Sequence, residues 1–493
     1  MSKDLSANLS SEPKLNWING EWVDSRTYRD SYDPATGKLI GRYADGGLDT
    51  AVQCVSSAKA AFYNSDWRTN RQLRAQVLNE LAAAFENHTE ELVGMLSLEN
   101  GKIAAEARME VSGVPPKLRY YAALVLTQSG RALETTAGSF SMVLEEPVGI
   151  AGIIAPWNSP VILMIRSLAP ALAAGCTTVV KMPGQTAQVN ALICEIFHSV
   201  NSLPKGVINQ FTESGYEGAA YLVSSPDVPS ISYTGSTATG KIMMKNGADH
   251  LKRFGFELGG KTPMIVFDDA DLNKAIPVLA KAVTLFAGQF CMTGSRILVQ
   301  NNIADPLITG LTQRLSAIRV GPASDLQSEM GPLIDKGSTE RVDGLVEQAI
   351  ASGAKVLLRG GKITGSELSK GAFYKPVLLQ VTDHTLSIVQ EETFGPVATI
   401  QVFDTVEQAI MLANDNKYGL AASVWSTNVD LPLQVSRRLD AGTVWINNWA
   451  RIHDEFEEGG FKMSGLGRLN GMAAMHDFIQ FKHIHHEAGV GQP

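Results

Sequence analysis

From Gly149 to Phe267 short apolar runs alternate with helical patterns, and this alternation restricts the fold more than any other feature of the chain. Residues 150–155, 177–182, 207–211, 231–234, 254–258 and 264–267 read as strands, being apolar or β-branched runs of strand length flanked by turn-forming residues. Residues 161–174 and 187–200 carry apolar residues at helical spacing, and Gly175 suits the C-terminal cap of the first. Strand, helix and strand in succession require a crossover, so the sheet is parallel and helices cover both faces. Such sheets bind ligands beyond the carboxyl ends of their strands. Asn158, Lys181 and Ser236 fall at or just past strand ends, so one ligand can touch all three. A second alternation follows Asp271, with strands expected at 297–299, 354–358, 397–403 and 443–446. The fold class is therefore α/β with two α/β units, since a chain of 493 residues exceeds one ordinary core. Upstream, 33–37 reads as a turn between short strands, and Leu73, Val77, Leu81, Ala84 and Phe85 form the core stripe of a helix.

Charge and cysteine usage narrow the partners. A net charge of −8 argues against a nucleic-acid surface, although backbone amides and one or two lysines can still hold phosphates. No apolar stretch spans a membrane, and the run at 161–174 is interrupted by Arg166 and Pro170. Residues 1–12 are polar and lack the apolar core of a secretory signal. Cys54, Cys176, Cys194 and Cys291 form no C-x-x-C pair. The expected compartment is the reducing cytoplasm. No metal is expected, because no carboxylate or cysteine pattern completes a site with His483, His485 and His486.

Two features are ambiguous on spacing alone. Gly235 to Lys241 nearly spells a P-loop, but Ile242 stands where that motif needs a magnesium-binding hydroxyl. The loop suits phosphate binding or an ordinary turn equally. A lone cysteine is more often inert than reactive, and Cys54, Cys176 and Cys194 read as core. Cys291 sits in the small-residue segment Gly288-Gln289-Phe290-Cys291, between a helix and a strand.

The wider set of motifs resolves that ambiguity. The segment Phe286-Ala287-Gly288-Gln289-Phe290-Cys291-Met292-Thr293-Gly294-Ser295-Arg296 resembles the nucleophile segment of the aldehyde dehydrogenase superfamily. Phe256-Glu257-Leu258-Gly259-Gly260-Lys261 is similar to its glutamate motif, and Pro156-Trp157-Asn158 to its oxyanion segment. Glu391-Glu392-Thr393-Phe394-Gly395-Pro396-Val397 is similar to its ribose-binding segment. Asn414-Asp415-Asn416-Lys417-Tyr418-Gly419-Leu420 and Gly459-Gly460-Phe461-Lys462-Met463-Ser464-Gly465 resemble later signatures. The motifs stand in family order and cover the chain from near residue 15 to its end.

The resemblance implies a Rossmann-like cofactor domain at 1–126 and 147–258, a second α/β catalytic domain at 259–463, and a small β oligomerisation arm at 127–146 and 464–493. It implies oxidation of an aldehyde to a carboxylic acid through a thioester on Cys291, with NAD or NADP. Chemistry explains the residue types. A thiolate is both a strong nucleophile and a leaving group; Asn158 and the Cys291 amide would hold the alkoxide; and Glu257 would activate water. The apolar neighbours of Glu257 raise its pKa by desolvation. Trp157, Lys181, Gly184, Gly235, Ser236, Glu392 and Phe394 carry over as cofactor contacts, with Lys181 at the adenosine ribose and Glu392 at the nicotinamide ribose.

Departures from the family pattern carry their own expectations. Many NAD-preferring relatives have Glu where Gly184 stands; its loss removes an acceptor for ribose hydroxyls and a charge that repels a 2′-phosphate, so NADP is expected to be accepted. Gly467-Arg468-Leu469 lacks the Glu that commonly follows this Arg. The substrate tunnel maps to Ile162, Arg166, Leu285, Phe290 and Met292, a mostly apolar wall that favours an uncharged aliphatic or aromatic aldehyde. Arg166 keeps open a carboxylate-bearing semialdehyde such as succinate semialdehyde, but Leu285 cannot complete a bidentate clamp; an ion pair with a nearby acid is the plainer role for Arg166. A non-catalytic structural relative and an acylating, coenzyme-A-dependent enzyme are the competing classes. The alternation of Phe140, Met142 and Leu144 suits a strand with one buried face, and the expected assembly is a homodimer or homotetramer, with no nucleic-acid or membrane partner.

Overall fold

The computed structural model describes residues 12–127 and 129–489. Residues 1–11, 128 and 490–493, where the expected first domain and the oligomerisation arm begin or end, lie outside the described residues.

Five parallel strands make the centre of the first sheet: Ile208–Glu213, Thr177–Pro183, Ile150–Ile154, Ser230–Thr234 and Arg253–Glu257, in that spatial order. They are buried on both faces, which is why they read as nearly continuous apolar runs. The chain reverses its winding beside Ile150–Ile154, and the loop that follows this strand carries Trp157 and Asn158. Helices Pro160–Ala174, Ala187–His198, Glu217–Ser224 and Thr237–Gly247 make the crossovers. Pro160 starts the first of these helices and Gly175 ends it with φ 98°, a left-handed cap. Ser236 caps the last, its hydroxyl accepting from the Thr239 amide at 3.2 Å. The stretch expected as a glycine turn up to Gly240 is therefore helical from Thr237 onward, because that cap starts the helix early.

The second sheet orders Lys355–Leu358, Val377–Gln380, Val397–Phe403, Arg296–Gln300, Pro263–Val266, Ala421–Trp425 and Thr443–Ile446. All neighbours are parallel except the edge strand Lys355–Leu358. The strand expected at 264–267 pairs here, between Arg296–Gln300 and Ala421–Trp425, and not with the first alternation that precedes it in sequence. Among the described residues no helix is long and apolar enough to cross a membrane.

Ile479–Glu487, Ser139–Pro147 and Arg131–Thr136 form a separate antiparallel sheet. Two expectations are corrected here. Residues 464–478 do not belong to this arm: Gly465–Leu466 joins the edge of the first sheet against Phe256 and Glu257, and Cys176, Ser230 and Arg253 all bond to backbone carbonyls at 477–479. The alternation at 139–145 does not bury an apolar face within one chain either, since Phe140 and Leu144 are exposed.

Candidate active site

The helix Leu272–Thr284 gives way to a turn in which Phe286, Ala287 and Gly288 all take left-handed backbone, with φ of 53°, 54° and 71°. That conformation costs about 1–2 kcal/mol for each residue with a Cβ. The surroundings hold it. Glu106 Oε1 accepts from the Phe286 amide at 2.9 Å. The Gln289 side chain donates to the Phe286 carbonyl and accepts from the Ile334 amide. Thr293 donates to the carbonyls of Gly288 and Phe290, and the Lys102 ammonium lies 4.1 Å from the centre of the Phe286 ring. Gly288 has no alternative, because a Cβ there would lie 2.2 Å from the Gly395 carbonyl carbon. The turn delivers Cys291, the only cysteine of the four that is not buried. Cys54, Cys176 and Cys194 lie buried in the cores of the first α/β unit, out of reach of any ligand.

A buried polar ladder fixes the opposite wall. Asn158 Nδ2 donates to the Gln289 carbonyl at 3.0 Å, which ties the amide to the turn that carries Cys291. Lys102 bonds the Asn158 carbonyl, the Ser159 hydroxyl and Glu110. Glu110 accepts from the Val161 amide at 2.9 Å, and Asn100 donates to the Trp157 carbonyl at 2.8 Å. None of Asn100, Lys102, Glu106 and Glu110 was singled out by motif. The four-residue spacing of Lys102, Glu106 and Glu110 was the available signal, but a charged stripe at helical period ordinarily means a solvated face.

Glu257 ends the strand Arg253–Glu257 and is buried, with Oε1 lacking a hydrogen-bond partner among the described residues. Desolvation pushes its carboxyl up to about 8; Arg166 opposes the shift and Glu458 adds to it. Its Oε1 lies against the bare Cα of Gly459, where a Cβ would approach to 3.0 Å. Burial likewise pushes the Cys291 thiol up to about 12, with Arg166 the one cation that counters it and Glu257, Glu392 and Glu458 adding to it. Cys291, Glu257, Arg166 and Glu458 make a single electrostatic site, and Glu392 adds its charge at the sulfur.

Arg166 takes the plainer of its expected roles. It pairs with Glu458, both side chains 5% exposed, and its Nε and Nη2 have no hydrogen-bond partner among the described residues. Glu458 also exchanges backbone hydrogen bonds with Leu469, so a position that lacks an acid lies paired to one that has it. Of the other tunnel candidates, Leu285 and Met292 are buried in the core of the second sheet, and Ile162 packs against the core of the first. Phe290 stacks edge-on between Phe286 and Trp449, 5.8 Å from each. Trp449 was not foreseen; its indole donates to the Met292 carbonyl at 2.9 Å.

The candidate cofactor residues fall into two groups. Trp157 and Phe394 meet edge-to-face at 5.5 Å. Phe394 has φ 50°, and Arg341 holds its carbonyl and that of Thr393. Glu392 accepts from the Gly260 amide at 3.2 Å, and burial pushes its carboxyl up to about 7. Lys181, Gly184, Gly235 and Ser236 stand at the carboxyl ends of the strands Thr177–Pro183 and Ser230–Thr234. Burial lowers the Lys181 ammonium, which has no hydrogen bond or ion pair among the described residues.

Residues 22–484 match the model of the aldehyde dehydrogenase family. The chain is 34% identical to a betaine aldehyde dehydrogenase of Bacillus subtilis, over 95% of this chain and 96% of that protein. It is 34% identical to a hydroxyisobutyraldehyde dehydrogenase of Mycolicibacterium austroafricanum, over 98% and 96%. The crystal structure of betaine aldehyde dehydrogenase from Staphylococcus aureus in complex with NAD+ superposes with a TM-score of 0.96 at 33% identity, over 99% of this chain and 98% of that one.

The raised carboxyl of Glu257 has a direct consequence. A carboxyl pushed up to about 8 is protonated below that pH and ionised above it. In 13C NMR of carboxyl-labelled protein, Glu257 is expected to titrate near pH 8 and Arg166→Met to move the midpoint upward by roughly one unit. A midpoint in the ordinary carboxylate range contradicts this electrostatic description.

Proposed function

The chain belongs to the aldehyde dehydrogenase family, and from that premise we propose that this NAD(P)-dependent enzyme oxidises its aldehyde on Cys291, with Asn158 holding the oxyanion and Glu257 moving the protons. One observation carries the reading: the Asn158 amide is bonded into the turn that presents the cysteine, while Arg166 and three carboxylates that include Glu257 act on the thiol.

Each step follows from the groups present. Held as a thiol by burial, Cys291 loses its proton as sulfur bonds to the aldehyde carbon, and ionised Glu257 is the acceptor. Asn158 Nδ2 spends one hydrogen on Gln289, and its second remains for the alkoxide beside the Cys291 amide. When bound, the dinucleotide accepts the hydride that leaves the tetrahedral carbon, and a thioester remains on Cys291. Glu257 passes that proton to bulk water and takes another from the water that attacks the thioester; the carbon–sulfur bond breaks, the second proton returns to the Cys291 sulfur, and the carboxylic acid departs.

The site fits a dinucleotide. A helix of eleven residues opens at Ser236 toward the strand ends, as a pyrophosphate site requires. The unpartnered Lys181 ammonium offers donors for a ribose, and Glu392, backed by Gly259 and Gly260, offers an acceptor for another. Trp157 and Phe394 would bound the nicotinamide end.

For the substrate we favour an uncharged aliphatic or aromatic aldehyde. Phe290 and Trp449 form an aromatic wall, and the pairing of Arg166 with Glu458 neutralises the cation that a semialdehyde carboxylate would need. The same rings support a second reading, an aldehyde bearing a quaternary ammonium, which aromatic faces attract and which the name of the Bacillus subtilis relative brings to mind. Relatives of equal identity carry other aldehydes in their names, including 2-aminomuconic semialdehyde, so this wall and not the names is the basis of the choice. We also propose a homodimer or homotetramer assembled through the separate antiparallel sheet. Its strand Arg131–Thr136 is exposed throughout, and Leu133 and Phe481 are 66% and 67% exposed.

Absorbance at 340 nm with hexanal, benzaldehyde, betaine aldehyde and succinate semialdehyde tests the reading. Turnover of the first two and its loss by a factor of at least about 1000 in Cys291→Ala are expected; turnover of succinate semialdehyde alone overturns the substrate, and undiminished turnover in the variant overturns the nucleophile. Light scattering tests the assembly: Leu133→Asp with Phe481→Asp is expected to yield a smaller species than the wild type, and an unchanged mass contradicts the interface.

A further inference from the structure

Gly184 is a glycine for a reason visible in its packing. A Cβ at this position would lie 2.3 Å from the Tyr43 hydroxyl and 3.2 Å from Ser214 Cα. The space that a side chain at 184 would take is filled by Tyr43, a buried residue of the strand Leu39–Ala44. Room for a larger group at the ribose is therefore not what the missing side chain leaves behind.

Tyr43 brings Asp45 with it. The Asp45 carboxylate is buried, accepts from the Ser214 amide at 2.7 Å and from the Ser214 hydroxyl, and pairs with Arg29 at 3.2 Å. Asp45 and Glu213 are the two acids whose charge reaches Lys181, and neither is within ion-pair distance of it. Glu213 spends both oxygens on the amides of Gly218 and Ala219, at the start of the helix Glu217–Ser224. Asp45 accepts three hydrogen bonds, two from Ser214 and one from the exposed Arg29, which leaves one acceptor position on its carboxylate, and it faces a cleft of about 560 Å³ that Arg29, Gly46, Glu213, Ser214 and Tyr216 also line. The Arg29 side chain is 61% exposed, so solvent screens the one cation paired with this carboxylate.

We propose that Asp45, held by Ser214 and backed by Tyr43, is the residue that selects NAD over NADP, taking on from a distant hairpin the charge that position 184 lacks. The proposal rests on the reading that Lys181 faces the adenosine ribose. A free 2′-hydroxyl donates to a carboxylate, whereas a 2′-phosphate beside Asp45 and Glu213 meets like charge. Lys181 binds the ribose in either cofactor and so contributes affinity without choosing between them. Tyr43 contributes shape: it fills the space that a side chain at 184 would take.

Calorimetric titration of the purified full-length protein with NAD and with NADP tests this without turnover. The wild type is expected to bind NAD at least about tenfold more tightly, and Asp45→Asn to lower that ratio by about tenfold through tighter NADP binding. Arg29→Ala, a change at an exposed side chain, keeps the test valid if Asp45→Asn does not fold: removal of the paired cation is expected to raise the ratio by about threefold. Equal wild-type affinities, or an unchanged ratio in either folded variant, overturn the role of Asp45. Lys181→Ala separates the underlying reading, since a variant that weakens neither cofactor removes the ribose from this cleft altogether.

Discussion

The site depends on a strained turn. Phe286 and Ala287 adopt backbone that residues with a Cβ avoid, and Gly288 continues it, so Cys291 hangs from three consecutive left-handed residues. Such strain persists only where the surroundings over-determine it. Here the clamp is mainly one hydrogen bond from the Phe286 amide to the buried Glu106, reinforced by Gln289 and Thr293. Glu106 belongs to a ladder with Asn100, Lys102 and Glu110 that also fixes the backbone of Trp157, Asn158 and Val161. One buried polar layer therefore positions both the cysteine and the amide beside it. Lys102 touches both walls, bonding the Asn158 carbonyl and lying over the Phe286 ring, so its substitution disturbs both at once and leaves Glu110 unpaired in a low dielectric.

Electrostatics complete what geometry begins. Burial drives Glu257, Glu392 and Cys291 toward their neutral forms. Arg166 is the counterweight to Glu257 and Cys291, and its own desolvation is offset by Glu458. Removal of either member of that pair would leave a bare buried charge, the costly outcome for such pairs. The site thus keeps a carboxyl that gains and loses a proton near pH 8 and whose charge reaches the Cys291 sulfur.

Much of this was legible in the sequence, and the remainder was hidden for specific reasons. The central strands of the first sheet are buried on both faces, so apolar runs and their glycine or proline stops mark them directly. Cys291, Glu257, Asn158, Glu392 and Lys181 stood out because each sits in a motif. The charged stripe from Glu99 to Glu110 has the period of an exposed helix face, and only tertiary packing reveals that the structure buries it. Arg166 and Glu458 are 292 residues apart, so their pairing has no local signature. Tyr43 against Gly184 is hidden for the same reason, and the absence of a side chain at 184 looks like open space until the hairpin is placed. The strands Val377–Gln380 and Ala421–Trp425 are short, and the second is rich in alanine and serine, which blunts the strand pattern.

Glu106 holds the turn that carries Cys291, and the alkylation rate of that cysteine reports on it most directly. With iodoacetamide at pH 8, Glu106→Ala is expected to react at a rate altered by at least about tenfold from the wild type, while Glu106→Gln, which keeps an acceptor for the Phe286 amide, stays within about threefold. A folded Glu106→Ala protein whose cysteine reacts at the wild-type rate would contradict the account, because the turn would then hold its shape without the hydrogen bond on which the site is argued to depend.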